Sequence, residues 1–285
     1  MALIKNDDDL IALTGVSSKL LDSLSEEVEL RESRNSKRQF ANSPKERILL
    51  CLCKLKLNLS FECLSILFNM TRKCCYKNFL LIIQLLADIL QSSIVWPIPE
   101  QSQGSLSESS RHFPNVRLVL GCIEFRAQKV DCNTCHRMTY SQDKAYRIVR
   151  ILIGSTVSGC ICFVSMAYGG HFQYKHIFNQ SCLLDALHPS KDAIILDKNF
   201  EIVSKCRQAH IKVITPPTLR RNSQISSEDM SYTNQVAAAK IPSERSIQRM
   251  KSFRILGQKI SLPVLRRYAD NICTVVAGLV NLSAQ

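Results

Sequence analysis

The sequence predicts an α/β domain preceded by a small all-α domain, and three observations carry that assignment. Three capped helical patterns follow one another between Ser43 and Val95. A polar stretch opened by Trp96-Pro97-Ile98-Pro99 then interrupts the chain over residues 96–115. Beyond it, three strand-like runs give way to helix, strand, helix, strand and helix, with both later strands short and apolar.

Composition bounds the function. At 285 residues, with 46% hydrophobic and 21% charged residues, the chain is long enough for a sizeable core and two domains and is not globally disordered. The formal net charge of +13 favours a polyanionic partner. Residues 1–36 hold eight Asp/Glu against four Lys/Arg, a net of −4, which leaves +17 for the remainder. Thirteen cysteines, an odd number, without an apolar N-terminal segment predict a reducing intracellular compartment in which most thiols act as small buried hydrophobes. No uncharged apolar run reaches about 18 residues, so no membrane contact is expected. Phe79 to Val95 comes nearest and is interrupted by Gln84, Asp88 and Gln91.

Taken in order, residues 1–42 form an acidic, flexible N-terminal segment with one helix over Ser17 to Leu30 and a connector after it. A helix-turn-helix domain is expected over 43–95. Ser43-Pro44-Lys45-Glu46 offers a capping serine, a proline at the first helical position and the glutamate of a capping box. Ser60 caps a short second helix, Asn69-Met70 turns the chain, and Thr71 caps a third helix running to about Gln91. That helix opens with Arg72, Lys73, Tyr76 and Lys77, the basic and polar residues a DNA-reading helix presents at its N-terminal end. An ordinary three-helix bundle with a solvated basic face fits the same pattern. After the linker, strands are expected at Val116–Phe125, about Ala145–Ser155 and about Cys160–Ala167. A helix over His176 to Leu187, the strand Ala193 to Asp197, a helix over Phe200 to Ala209 and the strand Ile211–Ile214 follow. Ser226 to Lys251 reads as helical with a break at Pro242, and Leu262 to Leu282 as a final helical hairpin or long helix.

The first strand carries the functional question. This order of elements, over 116–283, is that of a ribonuclease-H-like fold. There the chemistry needs an acidic residue on the first strand, a second after the fourth and a third on a late helix. The chain offers Asp197 and Glu244 for the last two and Gly121 for the first. Glu124 is three residues farther along the strand, so its side chain leaves on the opposite face. Asp131 stands in the loop beyond.

From Ser43 to Leu282 the chain resembles Harbinger-type and insertion-sequence-related transposases and host proteins derived from them. The matching pieces are LNLSFECLSILFNMTRKC, FPNVRLVLGCIEF, TYSQDKAYR, VSGCICFVSMAYGG, IILDKNFEI, ITPP and SERSIQRMKSFRIL, seven in the right order. The resemblance implies a DDE endonuclease domain that cuts and rejoins DNA with two divalent ions, Mg²⁺ or Mn²⁺, held by clustered carboxylates. It places catalytic, metal-binding roles on Asp197 and Glu244 and puts the family's first aspartate at Gly121. Losing one such group costs about 10²-fold or more in rate. The expected function is therefore DNA binding in the nucleus by a transposon-derived protein with a degenerate nuclease site. An active metal-dependent nuclease, with Glu124, Asp131 or a water filling the gap, is the alternative. A protein-interaction scaffold whose acidic N-terminus binds a partner is a third.

Cys132, Cys135 and His136 match the Cys-X-X-Cys-His pattern of haem attachment, which needs an export compartment, and no second pair stands at zinc spacing. Chance cysteines in a cysteine-rich chain account for them best. The basic cluster Arg245, Arg249, Lys251 and Arg254 suits either a DNA backbone or solvent.

Overall fold

In the computed structural model the chain divides into two compact units. The structure describes residues 4–35, 41–97, 112–128, 133–196, 202–216, 226–259 and 262–283. The first unit takes residues 1–94, 125–128 and 249–285, and the second takes residues 95–124 and 129–248. The units therefore cross the segment boundaries read from the sequence, because the C-terminal stretch belongs with the N-terminal helices.

In the first unit, helices α1 (Asp7–Thr14) and α2 (Ser18–Asn35) precede α3 (Pro44–Leu57), α4 (Phe61–Leu67) and α5 (Arg72–Leu90). The helix α1, opened by Asn6 and closed by Gly15 in the left-handed region, was not anticipated, and α2 runs five residues past its predicted end. Both pack on α3. Arg47, 1% exposed, holds Glu32 through both carboxylate oxygens, with Nη1 donating at 2.7 Å. The predicted capping box forms, with the Glu46 amide donating to Ser43 Oγ at 3.2 Å and the Ser43 amide to Glu46 Oε2 at 3.3 Å. Two helices complete the unit, α10 (Arg254–Gly257) against α3 and α11 (Leu262–Leu282) against α5. α11 is one long helix rather than a hairpin. Gly278 meets Leu90 so closely that a Cβ there would lie 2.7 Å from the Leu90 Cβ. The length and apolar character of α5 would suffice to cross a membrane. Its Phe79, Ile82, Ile83 and Leu86 are instead fully buried in this unit.

The second unit is built on a mixed seven-stranded sheet of order β2-β3-β1-β6-β7. Its strands are β1 (Val116–Arg126), β2 (Tyr140–Ser141), β3 (Tyr146–Ser155), β4 (Ile161–Val164), β5 (Tyr168–Gly169), β6 (Ala193–Ile195) and β7 (Lys212–Ile214). β2, β4 and β5 run antiparallel to β3, while β6 is parallel to β1 and to β7. The helices are α6 (Asn133–Thr139), α7 (Tyr174–Gln180), α8 (Val203–Gln208) and α9 (Ser227–Lys251). Two expectations need correction. The helix predicted to Leu187 ends at Gln180, and a single 3₁₀ turn over Leu183–Ala186 follows it. The break at Pro242 does not occur, and α9 is continuous through it.

Alternate residues of β1 enter two cores. Leu118 and Leu120 pack with Leu152, Cys162, Ile177 and Phe178, and Val119 packs with Ala193, Ile195, Val236 and Ala239. Arg117 breaks the apolar run and is still 7% exposed, because Nη2 and Nε donate to Asp192 Oδ1 at 2.7 and 3.2 Å. Its Nη1 reaches the Pro97 carbonyl at 3.0 Å, and Asp192 Oδ2 accepts the His188 amide at 2.9 Å. Asp192→Ala leaves this guanidinium buried without its counter-ion and should cost about 3–5 kcal/mol in urea unfolding followed by the fluorescence of the single tryptophan, Trp96. Replacing both partners by apolar residues of similar size should cost far less.

Burial also fixes the response to alkali. It pushes the Cys53, Cys122 and Cys162 thiols up to about 12 and that of Cys206 up to about 11, from an ordinary value near 9. Below pH 9 both folded and unfolded chains keep these protons and the stability is intact. Above it the unfolded chain loses protons that the folded chain retains, and each thiol removes up to about 1.4 kcal/mol per pH unit. Lys54, which burial lowers to about 8, and Lys56, lowered by burial as well, act the other way, but they are two groups against the seven thiols that burial raises. The melting temperature under reducing conditions should fall steeply between pH 9 and 11 and change little between pH 7 and 8.5.

Candidate active site and nucleic-acid interface

On one face of β1, Cys122 and Glu124 extend the line of Leu118 and Leu120. Glu124 Oε1 accepts Arg150 Nε at 3.0 Å and the Tyr174 hydroxyl at 2.9 Å. Arg150, 3% exposed, stands on the adjacent strand β3. Its other donors reach the Gly170 carbonyl at 3.1 Å, the Phe172 carbonyl at 2.8 Å and Ser141 Oγ at 3.1 Å. The guanidinium also lies 5.0 Å from the centre of the Tyr174 ring. Burial, then the Glu124 charge, pushes the Cys122 thiol up to about 12. Burial, followed by the charges of Cys122 and Glu124, raises the Tyr174 phenol as well. Glu124 is thus committed to Arg150 and Tyr174, as a structural carboxylate.

On the opposite face stands Gly121, and the neighbour it meets is Ile247 of α9. The Ile247 Cδ1 occupies the space that a Cβ at position 121 would need. α9 buries Val236, Ala239, Ser243, Ser246, Ile247 and Met250, one stripe of helical spacing. Small polar residues bring it close. Ser155 Oγ and Ser243 Oγ are 2.6 Å apart, and Ser246 Oγ donates to the Gly159 carbonyl at 2.6 Å. Gly159, at φ +92°, lies against the Pro242 carbonyl, where a Cβ would come within 2.8 Å of that oxygen. Glu244 is exposed and sits three residues before Ile247, at the rim of the buried stripe.

Asp197 follows β6 and lies outside the described residues, as do Asp131 and Cys132. Nothing is described of the Cys135 side chain, while His136 is exposed and stacked on Tyr140 at 5.6 Å. Among the described residues no three His, Cys, Asp or Glu side chains come together as a metal would require. Hard divalent ions need several oxygen ligands on one side of the sheet. Gly121 supplies none, Glu124 points to the other side and is already engaged, and Ile247 fills the gap. The described donor set does not fit a two-metal centre. Of the residues that decide this, Ile247 and Arg150 gave no signal in the sequence beyond an apolar helix position and a charge inside a strand.

The third helix of the predicted helix-turn-helix forms with its expected cap. Thr71 Oγ1 accepts the Cys74 amide at 3.2 Å and opens α5, after a turn through Asn69 at φ +49°. Thr71, Arg72, Lys73, Tyr76 and Lys77 are all exposed. Three contacts fix the start of α4 against the start of α5. The Phe61 ring meets Tyr76 edge to face at 5.3 Å and Phe79 at 5.8 Å. Arg72 Nε lies 2.9 Å from Glu62 Oε1.

Two family models match the chain. Residues 43–92 match the family model described as the helix-turn-helix of DDE superfamily endonuclease. Residues 120–281 match the model described as DDE superfamily endonuclease. No curated protein matches the chain. The helical unit, the mixed sheet and a match over more than half of the 285 residues agree, and the chain belongs to the DDE superfamily endonuclease family.

Proposed function

We propose that this transposase-derived protein binds duplex DNA through the N-terminal end of α5 and does not cleave it, acting in the nucleus. Its sheet order supports a ribonuclease-H-like domain, three strands paired antiparallel around β3 and then two parallel strands beyond β1. The observation that carries the loss of cleavage is Gly121 with Ile247 packed on it. A carboxylate cannot be returned to that position without moving a buried side chain. Asp197 and Glu244 remain the acidic residues that the family pattern assigns to a divalent ion, Mg²⁺ or Mn²⁺. With the first ligand replaced by an apolar contact, they hold at most part of a site. DNA binding rests on the exposed basic turn of α5 and on the excess of +13 charges, which attract a polyanion and release its counter-ions. Of the five acidic residues of α2, Asp22 and Glu32 are paired with Lys45 and Arg47 of α3.

Supercoiled plasmid incubated in Mn²⁺ tests the catalytic half. The natural chain, Asp197→Ala and Gly121→Asp should all leave it intact, and Gly121→Asp should also lower the melting temperature, because the new side chain collides with Ile247. Cleavage is expected to appear first in Gly121→Asp combined with Ile247→Ala. Cutting by the natural chain that vanishes in Asp197→Ala would overturn the non-cleaving reading. Gel-shift titration tests the other half. With about four phosphate contacts, affinity should fall on the order of 10²-fold between about 50 and 200 mM salt. No saturable binding at moderate salt would favour a protein scaffold instead.

A further inference from the structure

We propose that Arg72 reads a guanine in the major groove and that Glu62 is the positioning residue that aims it. The assignment rests on the DNA-binding reading above. Arg72 is the first residue of α5 after its Thr71 cap, where a helix-turn-helix brings side chains to base edges. Its guanidinium has two edges able to form paired hydrogen bonds, and Glu62 stands beside one as an ion-pair partner, its Oε1 2.9 Å from Nε. The end-on edge, formed by Nη1 and Nη2, has no partner among the described residues, and the side chain is 72% exposed. Two parallel donors of that kind match the O6 and N7 acceptors of guanine. Adenine offers an acceptor and a donor at the same place and is refused.

The carboxylate decides between a base and a phosphate. A phosphate approaching Arg72 would also approach Glu62 and be repelled, whereas the guanine edge carries no net charge and tolerates the neighbour. Glu62 remains ionised in this role. Its own backbone N–H holds the carboxyl below its usual range, with Arg72 and Ser60 adding to the effect. Among the described residues Lys73 and Lys77 have no such neighbour, and they suit phosphates better. The Phe61–Tyr76 contact keeps the starts of α4 and α5 in register, so the Glu62–Arg72 geometry does not depend on an exposed ion pair alone.

The experiment is binding-site selection from a randomised duplex pool with the full chain, Arg72→Lys and Glu62→Gln, each first shown to melt like the natural protein. The natural chain should enrich sites sharing one fixed G·C pair. Arg72→Lys keeps the charge and loses the planar fork. It should still bind duplex saturably and lose roughly tenfold or more of the preference for that pair. Glu62→Gln removes a repelling charge. It should bind bulk duplex as tightly or more tightly and still lose much of the preference, an outcome that a purely structural or inhibitory role would not give. A guanine preference unchanged in Arg72→Lys, a sharper preference in Glu62→Gln, or binding without any selected motif each overturns the assignment. Absence of duplex binding by the natural chain overturns the DNA-binding reading itself.

Discussion

Arg150 is the constraint around which the second unit is assembled. A guanidinium that is 3% exposed must have its donors satisfied, and the partners come from three separate pieces of chain: Glu124 on β1, Ser141 on β2, and the carbonyls of Gly170 and Phe172 after β5. Removing any one partner leaves a desolvated donor, which costs far more than the contact contributes when intact. The site thus fixes β1 beside β3 and ties the 170–172 stretch to β3. It also fixes the role of Glu124. A carboxylate that neutralises a buried arginine and accepts a tyrosine hydroxyl is a poor metal ligand, because leaving Arg150 would strand a buried charge.

The other face of β1 is governed by close approach rather than charge. α9 comes near the sheet because serines and a glycine, not larger residues, lie at the contact. The Ser155–Ser243 and Ser246–Gly159 hydrogen bonds replace the water those groups would otherwise hold. That docking explains why α9 continues through Pro242. A proline in an isolated helix interior costs about 3 kcal/mol and commonly ends the helix. Here the residues on either side bury Val236, Ala239, Ile247 and Met250, and roughly 0.8 kcal/mol per buried CH₂ outweighs the lost hydrogen bond. The same approach drives Ile247 onto Gly121. The space beside glycine at 121 is thus filled by a buried side chain.

These facts separate what the sequence could show from what it could not. Helix caps and strand periods are local chemistry, so the Ser43 capping box, the Thr71 cap and the opposed faces of Gly121 and Glu124 were all readable in advance. The paths of α7 and α9 were not. α7 stops at Gln180 although the apolar pattern continues, and α9 passes a residue that local rules treat as a breaker. Both outcomes are set by tertiary packing that overrides propensity. The partnership of Ile247 with Gly121 spans 126 positions of sequence, and no local rule connects them. Arg117 and Arg150 looked like interruptions of apolar strands until Asp192 and Glu124 supplied their counter-charges. Asp197 lies beyond the described residues, so its aim is carried only by the family pattern.

The architecture also bears on how catalysis and DNA binding can part company. The exposed turn of α5 owes its position to packing within the first unit, where α5 is held by α3 on one side and α11 on another. Gly278 closes the second contact against Leu90, and the Asn281 amide donates to the Ser93 carbonyl at 3.0 Å. Residues 249–285 therefore support the helix-turn-helix although they adjoin α9 in sequence. A chain relieved of the need to hold metal could accept glycine at 121 and isoleucine beside it without disturbing these helices. It could not lose α11 so cheaply, since Leu90 of α5, now buried against Gly278, would be left exposed. The acidic positions of the sheet and the basic turn of α5 answer to separate packing constraints, so one can decay while the other is kept.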